Sequence, residues 1–255
     1  MLWYKSWLET RWRFLIGLPL LMCSAALVVF GYPQVVKLLP LASAADVSTE
    51  IGRTIREAAN LDRTYGGYIW SQWFRQSLAQ YWSLFAVLLG TGGLLSQGVR
   101  GGALYTLSMP ASRARLLGVR AAMGLGELLV LAVLPSLLLP LLSPLVGQTY
   151  RVADALIYSG CLFVAGSIFF SLAFLLSTVF SDVWRPALIA AGAAVGLGLF
   201  AQAFRDVLPP SLFRVMAAES YFRGGGVPWI GLLVRALVSA AMLYGAVANI
   251  SRRDF

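Results

Sequence analysis

The chain has 255 residues, of which 59% are hydrophobic and 12% charged, with a mean hydropathy of +0.76 and a formal charge of +9. Soluble domains carry about 25% charged residues, so this composition excludes a water-facing globule and describes an integral membrane protein. No histidine is present, which excludes HExxH metalloproteases and histidine-based triads.

The positive charges are scattered between apolar runs and not gathered on one face, which speaks against nucleic acid as a partner and for basic loops beside a lipid bilayer. Cys23 and Cys161 each lie inside an apolar run and far apart. They form no CxxC or disulfide pattern and read as packing residues. No metal site and no cofactor site is expected in the chain.

In chain order, residues 1–13 predict an interfacial amphipathic helix. Trp3, Tyr4, Trp7, Leu8 and Trp12 fall on one arc, with Lys5, Ser6, Glu9, Thr10 and Arg13 on the other. This segment has no signal-peptide cleavage pattern. Apolar runs then predict six transmembrane helices, near 14–32, 79–99, 116–140, 155–180, 186–204 and 228–249. Helices are expected because only helices and closed barrels satisfy their backbone in lipid. Ten basic residues, Lys5, Arg11, Arg13, Arg100, Arg113, Arg115, Arg120, Arg185, Arg252 and Arg253, sit on the short segments that face one side. Their density puts both termini in the cytoplasm of a cell (inner or plasma) membrane protein.

Residues 33–78 are expected to form a long extracytoplasmic loop. Ile51 and Ile55 continue a spacing of four from Val47, which predicts one short amphipathic helix there. Tyr65, Tyr68, Trp70, Trp73, Phe74, Tyr81 and Trp82 then crowd the approach to the second span. They read as an aromatic belt at headgroup level, or else as a platform for an extracytoplasmic partner.

The segment 101–118 is Gly-led and cationic, and Leu104, Leu107 and Met109 give it a small apolar face. Such a loop reads as a docking element. In the fifth span Gly192 and Gly196 form a GxxxG, a candidate packing face inside the subunit or between two copies. Residues 205–227 predict an outer connection whose apolar piece, Leu212 to Ala218, dips back into the membrane edge. Two charges fall inside spans, Glu127 and Arg235. Intramembrane charges are usually paired, so they are expected to pair, within one subunit or across a dimer, as a structural clamp or a gating element.

No catalytic constellation is found: no GxSxG and no P-loop GxxxxGK[ST]. If ATP drives this protein, another chain must bind it.

Residues 100–120 resemble the permease subunits of ABC-2-type ABC transporters. The matching positions are Gly102, Leu104, Leu107, Ser108, Pro110, Ser112, Arg113, Leu116, Leu117 and Gly118. Ala103 stands where the family usually has Thr and Ala111 where it has Val; Val119–Arg120 departs from its Gly-Lys continuation but keeps a charge. The start KSWLETRWRF is similar to that family's interfacial connecting helix, and the end NISRRDF to its basic tail. The resemblance implies a single ABC-2-type transmembrane domain over 1–255, with 100–115 as a cytoplasmic coupling helix between spans 2 and 3. It implies that Leu104, Leu107, Ser108, Met109, Pro110, Ser112, Arg113 and Arg115 dock on a separate ABC ATPase subunit, which would bind ATP and magnesium. The chain itself would be no enzyme. It would pair with a second permease copy or a related permease, and export a substrate. Some relatives appear instead as mechanical transmitters to an extracytoplasmic maturation or assembly partner, which the 33–78 segment would meet.

Overall fold

The computed structural model describes residues 2–43, 50–92, 112–180, 182, 184–203 and 211–251, and these are helical with short connections. The helices are α1 (Leu2–Ser43), α2 (Glu50–Asp62), α3 (Tyr65–Ile69), a π-helical segment (Trp70–Ser77), α4 (Leu78–Gly90), α5 (Arg113–Leu142), α6 (Val152–Ser177), α7 (Trp184–Ala203), α8 (Leu212–Met216), α9 (Glu219–Phe222) and α10 (Trp229–Ser251). Among the described residues, four stretches are long and apolar enough to cross a bilayer: Leu2–Pro40, Ala114–Val146, Val152–Ser177 and Trp229–Ser251. The protein is therefore a helical membrane protein. The predicted fifth span falls on α7, whose apolar part, Trp184–Phe200, is shorter. Of the predicted second span, residues 93–99 lie outside the described residues.

The N-terminal segment is not a separate interfacial helix. It is the first part of α1, which runs unbroken through Pro19, Pro33 and Pro40. Its polar arc packs into the protein, and its aromatic arc faces outward. Ser6, Thr10 and Gly17 are buried while Trp3, Tyr4, Leu8 and Trp12 are exposed. The polar residues turn inward because α4 and α5 offer them charged and carbonyl partners, and the aromatic rings are left for lipid.

The stretch 33–78 is likewise helix over most of its length. Pro33 and Pro40 each remove one backbone bond, but Tyr32 packs edge-on against Tyr65 and tilted against Tyr68, which holds α1 on course. α3, the π-helical segment and α4 form one continuous helical column from Tyr65 to Gly90. Trp73 and Trp82 in this column are 0% exposed, and Tyr65, Tyr68, Trp70 and Phe74 are buried as well. The expected aromatic belt is therefore a core, with Tyr81 alone of the seven facing outward.

α6 is the central helix and packs on α4, α5, α7 and α10, while α1 packs along α5. Two glycines permit the closest approaches. A Cβ at Gly90 would lie 2.6 Å from the Phe170 carbonyl oxygen, and one at Gly166 would lie 2.4 Å from the Trp82 ring. Cys161 is buried, as a packing residue should be, but Cys23 faces outward. The end of the bundle where α1 begins, α4 ends and α5 begins is termed the near end. The far end carries the α2–α3 and α5–α6 connections with α8 and α9.

Candidate functional site

The near end is built on an unfinished helix. The last carbonyls of any α-helix lack partners and carry the negative pole of its dipole. At the end of α4 two arginines from other helices meet them. Arg13 of α1 donates to the Leu88 carbonyl, to the Thr91 carbonyl at 2.9 Å and to Thr91 Oγ1 at 3.2 Å. Arg120 of α5 donates to the same Thr91 carbonyl at 3.2 Å and pairs through Nη1 with Glu9 Oε2 at 2.5 Å. Three helices are thus joined through one helix terminus.

Gly92 makes this approach possible. Its φ of 94° lies in the left-handed region that favours glycine, and a Cβ there would sit 3.1 Å from Arg120 Nη2. Deeper along the same seam, Thr10 Oγ1 donates to Glu127 Oε1 at 2.5 Å. Glu127 Oε2, Arg120 Nε and Ser6 Oγ are buried with no hydrogen-bond partner among the described residues. The cluster therefore carries several buried polar groups in a low-dielectric seam, where ion pairs and hydrogen bonds are strong and their loss is costly.

The cluster flanks the cationic loop. Thr91 and Gly92 immediately precede residue 93. On the other side Ser112 caps α5 by accepting from Arg115 N at 3.3 Å, and Arg115 is exposed. Leu104, Leu107, Ser108, Met109 and Pro110 lie outside the described residues, and of Arg113 only its place in the first turn of α5 is described.

Glu127 and Arg235 do not pair within the chain. Glu127 faces Thr10 on α1, whereas Arg235 Nη1 donates to the Gly231 carbonyl one turn earlier on α10, beside Val215 of α8. The two helix faces point to different neighbours, which similar depth in sequence does not reveal. Gly192 and Gly196 also do not pack inside the subunit. A Cβ at either would meet nothing within 4 Å among the described residues, so this face of α7 is turned outward.

Sequence reasoning missed Glu9, Thr10, Arg13 and Thr91 as members of one cluster. A signal was present: Ser6, Thr10, Arg13 and Gly17 recur at four, three and four residues, a helical stripe of small and polar side chains.

The far end is joined by rings. Trp70 stacks on Phe222 with centroids 4.1 Å apart and donates through Nε1 to the Ala217 carbonyl at 2.8 Å. Tyr65 shares a hydrogen bond of 2.7 Å with Ser143 Oγ, and Tyr221 donates to Asp154 Oδ1 at 2.8 Å. Tyr150, in the α5–α6 connection, packs edge-on against Tyr65. Burial pushes its phenol well above the ordinary tyrosine range, with Tyr158 and Asp154 adding to the shift. In the 205–227 connection, residues Val215, Met216, Ala217 and Ala218 are buried within the protein.

No group of three or more metal-ligating side chains occurs among the described residues. Comparisons with protein-family models, curated proteins and solved structures return no match.

Proposed function

We propose that this chain is the membrane-spanning permease subunit of an ATP-driven exporter of the ABC-2 type. Two permeases work with two separate ATPase subunits, which bind ATP and magnesium. In this reading α1, the Tyr65–Gly90 column, α5, α6, α7 and α10 are the six spans. The near end and both termini are cytoplasmic, and the 100–115 segment is the coupling helix.

The observation that carries the reading is the arginine clamp at the end of α4. A docked ATPase would push on the loop, and the push enters the bundle at the last turn of α4 and the first turn of α5. A helix terminus left to itself frays under such a load. Arg13 and Arg120 tie that terminus to α1 and α5, so the three helices move together. Glu9 holds Arg120 in place.

The test uses the complex purified from its native membrane in mild detergent. Leu107→Arg should remove the co-purifying magnesium-dependent ATPase activity while the chain inserts at the normal level. Retention of that activity in Leu107→Arg, and equally in Leu104→Arg, would overturn the reading.

One observation favours the second role, relay of ATPase motion to an extracytoplasmic maturation or assembly partner. α2 is fastened to the π-helical segment through Ser71 Oγ donating to Asp62 Oδ1 at 2.7 Å, so displacement of the column reaches α2. Deleting residues 45–62 would abolish the activity of a relay and spare export by a pump.

A further inference from the structure

Three polar atoms in the seam between α1 and α5 take no part in the clamp. Ser6 Oγ, Arg120 Nε and Glu127 Oε2 are buried without a hydrogen-bond partner among the described residues. Ser6, Arg120 and Glu127 are only 7%, 9% and 4% exposed, so bulk solvent does not serve these atoms. The bonds around them place all three on one short stretch. Thr10, one turn beyond Ser6, has its Oγ1 3.2 Å from the Ser6 carbonyl oxygen and donates to Glu127 Oε1 at 2.5 Å. Glu9, between Ser6 and Thr10, holds Arg120 Nη1 at 2.5 Å. Arg120 and Glu127 are about two turns apart on α5, and their charges interact.

Ser6 is the informative member. A buried serine on a helix ordinarily donates to a carbonyl one turn earlier. Ser83, Ser136, Ser143, Ser159, Ser167 and Ser177 all do so, and Ser171 shares its bond with Ser239. Ser6 does neither, although Leu2, four residues earlier, belongs to the same helix. Its hydroxyl is therefore not committed to α1. The kinds of atom then narrow the ligand. The arginine Nε–H only donates, the carboxylate oxygen only accepts, and the hydroxyl does both. A cation in the seam would face Arg120, and an anion would face Glu127. The ligand that answers all three atoms is uncharged, both accepts and donates, and is small enough to sit between two packed helices. Internal waters typically make about three hydrogen bonds to groups of this kind.

We propose that the α1–α5 seam binds one internal water, which accepts from Arg120 Nε, donates to Glu127 Oε2 and bonds to Ser6 Oγ. The water extends the reach of a single guanidinium. Nη1 serves Glu9 and Nη2 serves the Thr91 carbonyl, while Nε serves Glu127 through the water. A bridge of this kind is enthalpically nearly as good as a direct hydrogen bond, so Glu127 and the clamp form one connected network. The inference rests on the three unpartnered atoms and not on the cationic loop, so it stands or falls apart from the ATPase reading.

The test is solid-state NMR of the full chain in lipid bilayers, with isotope-labelled arginine and tryptophan side chains. It reads magnetisation transfer from water protons to the Arg120 Nε–H, a signal assigned by its loss in Arg120→Lys. Trp82 Nε1–H is the internal control, because it is 0% exposed and bonded to the Leu128 carbonyl at 2.9 Å. Transfer to Arg120 Nε–H is expected to be about threefold or more faster than to Trp82 Nε1–H. Ser6→Ala leaves room for the water and should keep that ratio. Ser6→Val fills the room with methyl groups and should bring the two rates together while the Arg120–Glu9 pair persists. Equal rates in the unaltered chain would overturn the proposal whether or not a variant inserts. A ratio that survives Ser6→Val would place the water elsewhere, and a ratio lost in Ser6→Ala as well would mark a disturbed seam; either overturns it. A protonated-carboxyl infrared band that Glu127→Gln removes, with no water contact at Arg120, would put a proton in place of the water. Loss of the contact on adding sodium or potassium would assign the site to a cation. Both results would overturn the proposal.

Discussion

The two ends of this bundle are held together by opposite chemistries. At the near end, guanidinium groups from α1 and α5 bind the free carbonyls of α4. At the far end, aromatic rings from the column, α6 and α9 pack on one another, with the Tyr65 and Tyr221 hydroxyls and the Trp70 indole N–H satisfied locally. Ring contacts are short-ranged and tolerate sliding, and they seal. Charge-assisted bonds to a helix terminus are directional and resist extension. The directional contacts lie at the near end, next to positions 92 and 112 that bracket the cationic segment in sequence, and the sealing contacts lie at the opposite end. In the proposed reading, force enters at the near end and the far end opens or closes.

The comparison can be broken most forcefully at Trp70. Trp70→Ala removes the stack on Phe222 and the bond to Ala217, and should cost about 3–5 kcal/mol. Thermal unfolding in detergent measures the loss. Hydrogen exchange should rise over α8 and α9 and stay unchanged at the last turn of α4. A rise at both ends would mean that the two regions are one unit.

Arg120→Gln is the matching change at the near end. It breaks the buried pair with Glu9 and weakens the hold on Thr91, at a cost of about 3 kcal/mol. Exchange should rise at the start of α1 and the end of α4, with the ring cluster unaffected. Gly92→Ala is smaller, about 1–2 kcal/mol, because the left-handed conformation strains any side chain and the Cβ crowds Arg120. Its unfolding temperature should therefore fall by less than that of Arg120→Gln.

The smallest effect is in pH. The Tyr150 phenol titrates above its ordinary value in the folded state, so the unfolded chain gives up this proton first as pH rises. Stability from this residue is complete below about pH 10 and is lost above it. Tyr150→Phe should flatten that alkaline decline and leave the unfolding temperature nearly unchanged between pH 6 and 9. An unaltered decline in Tyr150→Phe would place the titrating group elsewhere.

The sequence was most readable where one physical cause acts alone. Long apolar runs mark α1, α5, α6 and α10, because lipid admits little else. It was least readable where the same residues suit two environments. Tyr, Trp and Phe are equally at home at headgroup level and in a packed core, and at Trp82 the core is reached because Gly166 makes room for its ring. The amphipathic start of α1 posed the same ambiguity. Wheel geometry sorts Trp3, Tyr4 and Trp12 from Ser6, Thr10 and Arg13, but it does not say which face meets water. That was decided by Arg120, Glu127 and the end of α4, all more than seventy residues away in the chain. Helix depth misled the pairing of Glu127 with Arg235 for a related reason, since depth along an axis carries no information on facing direction.

The central claim is that an external ATPase docks on the loop that the arginine clamp anchors. The most direct measurement is photo-crosslinking in native membranes from a benzophenone side chain at position 107, with position 230 on the outward face of α10 as control. The account predicts a single adduct from position 107 whose partner polypeptide is labelled by azido-ATP, and no such adduct from position 230. Crosslinking from position 107 to lipid alone, or to a polypeptide that azido-ATP does not label, would contradict it.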